Sequence, residues 1–112
     1  MRAPVHPDRA QLNLATFLHA LSDPTRLEIV RMLADAPEVP CSDFYGIGGI
    51  STPTLSHHLR VLREAGVTYT RIEGKHRHLS LRKDDLNARF PGVIDTITAT
   101  LRQNFSGIAS GR

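Results

Sequence analysis

The sequence predicts a mainly α-helical fold carrying one β-hairpin, built as a single domain. Apolar residues recur at helical spacing in four stretches, several of them opened by a capping residue and a proline. Two strand-like runs flank Gly74-Lys75. A chain of 112 residues with 40% hydrophobic content fills one small core, to which a subunit interface would add.

Met1 to Pro7 holds two prolines and no periodicity, which predicts a flexible N-terminal tail over residues 1–7. The domain is expected over residues 8–105. Leu14, Phe17, Leu18 and Leu21 share one face of a first helix running from about Asp8 to Leu21. Asp23 and Pro24 supply a cap and a first-turn proline for a second helix to about Ala34, with Leu27, Val30 and Leu33 inward. Asp35 to Pro40 reads as a turn. A short third helix over Ser42 to Ile47, with Phe44 and Ile47 inward, competes with the poor helix propensity of Gly46, Gly48 and Gly49. The next helix spans Ser51 to Ala65, capped by Ser51 or Thr52 and closed by Gly66 in a left-handed conformation. Val67 to Glu73 and His76 to Arg82 form the hairpin, with Leu79 and Leu81 alternating against His78, Ser80 and Arg82. Asp84 or Asp85 caps a short helix to Arg89, and Pro91 opens a last one in which Ile94, Ile97, Leu101 and Phe105 share a face. Ser106 to Arg112 is rich in small residues and is expected to be a flexible C-terminal tail.

The terminal amphipathic helix needs a cover, either its own core or a second subunit. The stripe on the first helix offers a matching surface, so a homodimer is expected with Leu14, Phe17, Leu18, Ile94, Ile97, Leu101 and Phe105 at its interface. No run of 18 apolar residues and no secretory leader is seen, so the expected location is the cytoplasm with no membrane contact. The single cysteine, Cys41, excludes an internal disulfide. Two Tyr, four Phe and no Trp are too few for a base-stacking platform and argue against single-strand binding.

Charge is concentrated in one place. Residues 56–83 hold seven Lys or Arg against two Glu, a balance of +5, while the rest of the chain carries −2. A local basic segment is the footprint expected of a polyanion-binding surface. The helix that opens this segment has two faces: Leu55, Leu59 and Leu62 on one side, Pro53, Ser56, His57 and Arg60 on the other. Geometry makes Thr52, Pro53, Ser56 and His57 candidates for reading base edges and Arg60 a candidate for holding phosphate. The competing reading makes Thr52 and Pro53 a cap only and turns Ser56 onto its own backbone. Arg71, Lys75 and Arg77 on the hairpin are candidate grips for phosphates or the minor groove, against plain solvation of a hairpin tip. His58 lies between the faces and reads as a buried, hydrogen-bonded histidine.

Three separated motifs, Ala20-Leu21-Ser22-Asp23-Pro24-Thr25-Arg26-Leu27, Leu55 to Gly66, and Arg71-Ile72-Glu73-Gly74-Lys75, together resemble the ArsR/SmtB family of bacterial transcriptional regulators, over about Phe17 to Leu81. The resemblance implies a winged helix-turn-helix repressor acting as a homodimer on double-stranded DNA. The helix over Thr52 to Ala65 would enter the major groove of a palindromic operator, and the hairpin would be the wing. Half-sites would lie about one duplex turn, ~34 Å, apart. The alternative is a winged-helix module that binds protein without reading DNA sequence. No nucleophile with a spaced base, phosphate loop or carboxylate pair suggests an enzyme.

Many members of that family release DNA on binding a metal through a Glu-Leu-Cys-Val-Cys-Asp pattern. Here Glu38-Val39-Pro40-Cys41-Ser42-Asp43 places Pro40 and Ser42 where the two thiols belong. One misplaced thiol cannot hold a thiophilic ion. The stretch Phe90 to Phe105, where the family's other site uses histidines and carboxylates, has Asp95 and no histidine. No metal and no cofactor are therefore expected, and a small-molecule effector stays unidentified. His76 and His78 share a strand face but lack an evident third ligand, and Cys41 reads as a small core thiol rather than a redox switch.

Overall fold

The computed structural model describes the backbone of residues 4–111 and the side chains of residues 4–104. Five helices, α1 (Leu14–Ala20), α2 (Pro24–Ala34), α3 (Thr52–Glu64), α4 (Lys83–Arg89) and α5 (Val93–Gly111), surround a small antiparallel sheet of β1 (Val39–Pro40), β2 (Thr68–Glu73) and β3 (His76–Leu81). The strand order is β1-β3-β2.

The predicted first helix is broken in two. A 3-10 turn covers Arg9–Gln11, Leu12 runs extended, and Asn13 restarts the chain as N-cap of α1, its side chain accepting from Thr16 N–H at 3.0 Å. A short polar side chain that satisfies a first-turn donor starts a helix rather than continuing one. The break lets Leu12 turn fully inward at 2% exposure. Asp23 caps α2 as expected, accepting from Arg26 N–H at 3.0 Å, with Pro24 in the first turn.

Between α2 and α3 the chain departs from the sequence reading. Val39 and Pro40, expected in a turn, pair with Leu79 and His78 as a third strand. Pro40 is tolerated because β1 lies at the sheet edge, where a missing N–H costs no ladder bond. The expected third helix is reduced to two 3-10 turns, Cys41–Phe44 and Ile47–Gly49, divided by Gly46 at φ 81°. Phe44 still reaches the core with no exposed surface.

Ser51 caps α3, accepting from Thr54 N–H at 3.4 Å, and Gly66 at φ 78° closes it. The hairpin then folds as predicted, with Glu73 opposite His76 across Gly74-Lys75 and Thr70 opposite Leu79 on the core face. Asp84 and Asp85 sit in the first turn of α4 and Arg82 holds the cap position. Asp85 pairs instead with Arg9 at 2.7 Å and Arg82 at 3.0 Å.

The core joins Phe17, Ile29, Leu33, Phe44, Leu55, Leu62, Val67, Leu79, Leu86 and Ile94, drawn from nearly every element. Phe17 and Phe90 pack with ring centroids 5.2 Å apart. Complete burial of side chains this size contributes about 1.5–3 kcal/mol each. Within the segment expected to be a tail, His6 lies against β2 and Pro7 against Arg82. Thr70 N–H donates to His6 Nε2 at 3.0 Å, the His6 ring stacks on Tyr69 at 4.4 Å, and Arg82 donates to the Pro7 carbonyl at 2.8 Å. Helix α5 continues through Ser106 to Gly111, residues expected to lie in the C-terminal tail.

Candidate nucleic-acid interface

Helix α3 divides its surface as its sequence does. Leu55 and Leu62 are 2% and 0% exposed, so the helix is seated on the core by these two side chains. Thr52, Pro53, Ser56, His57 and Arg60 are all exposed. Arg60 Nη2 lies 3.4 Å from His57 Nδ1, which aligns the two side chains one turn apart on the solvent face. His58 faces the other way and is bonded, with Arg26 Nη1 3.0 Å from its Nδ1.

The hairpin residues divide into two groups. Lys75 is exposed at the tip and Arg77 half-buried near the sheet's end, and among the described residues neither has a hydrogen-bond or ion-pair partner. Arg71 is engaged. Its Nε and Nη2 donate to Glu38 at 2.7 and 2.9 Å, and Glu73 lies 3.6 Å away. The fork-shaped pair drives the Glu38 carboxyl below its usual range and the Arg71 guanidinium above its own. Glu38 thus ties the loop before β1 to the hairpin, a link across 33 residues that no local pattern announces.

Glu38 begins the segment that would carry the thiophilic metal motif, and its carboxylate is occupied by Arg71. Cys41 is half-buried against the core, and burial pushes its thiol pKa up, with Arg77 opposing. A protonated lone thiol beside Pro40 and Ser42 does not fit a thiophilic ion. Among the described residues, no group of three or more His, Cys, Asp or Glu converges. His78 directs its Nε2 toward Glu73 at 3.7 Å while His76 is exposed.

The expected dimer stripe is split. Phe17, Ile94 and Leu101 are 0%, 1% and 6% exposed within the single chain, so its own core covers them. Ile97 is half-buried, whereas Leu14 and Leu18 are each 47% exposed on α1. The side chain of Phe105 lies outside the described residues.

The family model for the arsR family of bacterial regulatory proteins matches residues 23–69, from the cap of α2 into β2. The chain is 37% identical over 84 residues to an uncharacterized HTH-type transcriptional regulator of Bacillus subtilis, YceK, covering 74% of this chain and 84% of that protein. It belongs to the ArsR family. This ArsR-family chain is also 36% identical over 74 residues to an arsenical resistance operon repressor of Staphylococcus xylosus, covering 66% of the chain and 70% of the relative. Among solved structures, HlyU from Vibrio cholerae superposes with a TM-score of 0.63 at 26% identity, covering 77% of this chain and 88% of that one. The transcriptional repressor BigR from Xylella fastidiosa superposes at 0.56 with 33% identity, covering 69% and 85%.

The ArsR-family fold is a winged helix-turn-helix in which α2 and α3 form the helix pair and β2-β3 the wing. The protein is a transcriptional regulator and not an enzyme. Among the described residues, no helix is long and apolar enough to cross a membrane.

Proposed function

We propose that the protein is a homodimeric repressor that reads a palindromic operator with α3 and clamps the flanking backbone with its wing. The observation that carries this reading is the division of α3. Six polar or small side chains in its first nine residues are exposed while Leu55 and Leu62 anchor it, so the solvent face is spare for a major groove. Thr52, Pro53, Ser56 and His57 take base edges, and Arg60 and Lys75 take phosphates. Arg77, one residue pair back from the tip, serves the wing beside Lys75. Arg71 contributes less than its charge suggests, because Glu38 neutralises it. Pairing of two subunits uses Leu14 and Leu18, the exposed apolar pair on α1, together with half-buried Ile97 on α5. With no fitting thiol set near Cys41, the effector is something other than a thiophilic ion at that position.

Two substitutions test this reading. On a duplex from the region upstream of its own gene, His57→Ala should cost about 1–3 kcal/mol and relax sequence preference. Lys75→Ala should weaken matched and scrambled duplexes alike and reduce the salt slope by about 1. Unchanged binding in both variants overturns the docking geometry. Sedimentation equilibrium should show wild-type dimers and Leu18→Asp monomers; monomeric wild type overturns the dimer.

A further inference from the structure

Arg26 carries a permanent charge at 8% exposure, and among the described residues no carboxylate pairs with its guanidinium. Its Nε donates to the Ala20 carbonyl at the end of α1 at 2.6 Å, and its Nη1 lies 3.0 Å from His58 Nδ1. A guanidinium has five donors and no acceptor. His58 Nδ1 must therefore present its lone pair, which requires a neutral imidazole with its proton on Nε2. One buried side chain thus joins the end of α1, the first turn of α2 and the middle of α3.

Apolar packing seats α3 as well. Leu55 and Leu62 hold it at a fixed depth, but such packing is non-directional and leaves rotation about the helix axis weakly determined. The Arg26–His58 bond is directional. It acts on the residue next to His57, whose exposed ring is a candidate base contact, so a small rotation at His58 displaces that ring. We propose that His58 is a positioning residue for duplex recognition: in its neutral, Nε2-protonated form it accepts from Arg26 and sets the rotation at which α3 meets the groove. This rests on the DNA-reading role proposed above for α3.

The groups around the ring determine what a second proton does. Arg26 and Asp23 face it from α2 and its cap, with Asp23 Oδ2 3.8 Å from Nδ1. On its own helix His57 lies 5.9 Å away, ring to ring, with Arg60 beyond it. At the end of α1 the Ala20 carbonyl is tied to the ring through Arg26. Protonation removes the lone pair that Arg26 uses and sets cation against cation. The ring is then drawn toward Asp23, which already caps α2 through Arg26 N–H at 3.0 Å. The setting of α3 changes as His58 charges. Protonating exposed His57 or His76 adds positive charge and strengthens attraction to phosphate. A loss of DNA affinity on acidification therefore has the opposite sign from general electrostatics.

The test uses the full chain, His58→Gln, which keeps an acceptor that does not titrate, and His58→Leu, which has none. Imidazole 15N spectra of the free protein should show the Nε2-protonated tautomer; the Nδ1-protonated form overturns the proposal. Binding to the upstream duplex is followed from about pH 8 to about pH 5.5. Wild type should lose roughly tenfold in affinity toward acid, H58Q should stay within about threefold of wild type at pH 8 and lose the acid limb, and H58L should bind roughly tenfold more weakly throughout. An acid limb that persists in H58Q overturns the proposal, as does H58L binding like wild type. If wild type binds no duplex, the DNA-reading role has failed, and the free-protein spectra decide separately. Backbone amides of α3 should then shift on acidification in wild type and not in H58Q, and identical behaviour overturns the positioning role.

Discussion

Gly66 supports a prediction that separates two costs usually measured together. It closes α3 at φ 78°, and a Cβ built there overlaps Leu12 Cδ2 and comes within 3.4 Å of Leu12 Cγ and 3.5 Å of Pro7 Cγ. Gly92 precedes α5 at the same φ of 78°, but nothing lies within 4 Å of its Cβ position. Gly92→Ala therefore carries only the left-handed backbone strain, about 1–2 kcal/mol. Gly66→Ala carries the same strain and must also displace Leu12. That side chain is 2% exposed and has nowhere to move without disturbing the core, which adds about 1–3 kcal/mol of overpacking. Urea unfolding of the two variants at one pH should place the Gly66→Ala midpoint roughly 1 M below that of Gly92→Ala, taking a slope of about 1–3 kcal/mol/M. Equal midpoints would refute the close approach of Leu12 to the end of α3.

Glu38→Gln should release Arg71 to the duplex, tightening DNA binding at low salt and steepening the log affinity against log salt slope by about 0.9; a slope unchanged from wild type contradicts the neutralising pair. His6 is held below its ordinary pKa by burial first and by Arg82 and Arg63 after that, and it accepts from Thr70 N–H as a neutral ring. Because its folded pKa is depressed, the stability it lends is present above the ordinary histidine value of about 6.5 and is lost as pH falls through that value toward the lowered one. Hydrogen exchange at Thr70 N–H should accelerate over that window relative to neighbouring amides of β2, and His6→Leu should exchange fast at every pH. Cys41→Ser and wild type should bind DNA alike before and after mild oxidation, since a half-buried thiol with a raised pKa is a poor nucleophile; a response confined to wild type would make Cys41 a sensor.

The elements legible in the sequence are those set by neighbours in the chain. Asp23-Pro24, Ser51 with Pro53, Gly66 and Gly74-Lys75 each act within a few residues, and each stands where its local chemistry puts it. The features that escaped depend on distant partners. Val39-Pro40 is too short to show a strand period and becomes one only because β3 offers an edge. The N-terminal segment carries no pattern until Thr70 and Tyr69 are beside His6. Helical spacing grouped Leu14 and Leu18 with Phe17, but a stripe does not say how much of it the chain's own core consumes. Phe17 is taken by Phe90, and the two leucines are left outside. In the candidate interface, the spacing that put Thr52, Pro53, Ser56, His57 and Arg60 on one face could be read directly. The engagement of Arg71 by Glu38 could not, since a basic residue on a hairpin looks the same whether free or paired.

Fluorescence anisotropy of the wild-type protein decides whether α3 reads a specific duplex. The protein is titrated against its own upstream region and a scrambled duplex of equal length, from about 50 to about 200 mM salt. Affinity for the upstream duplex should exceed that for the scrambled one by about 10³-fold or more, with both falling steeply as salt rises. Weak binding that is equal on the two duplexes would contradict specific reading by α3.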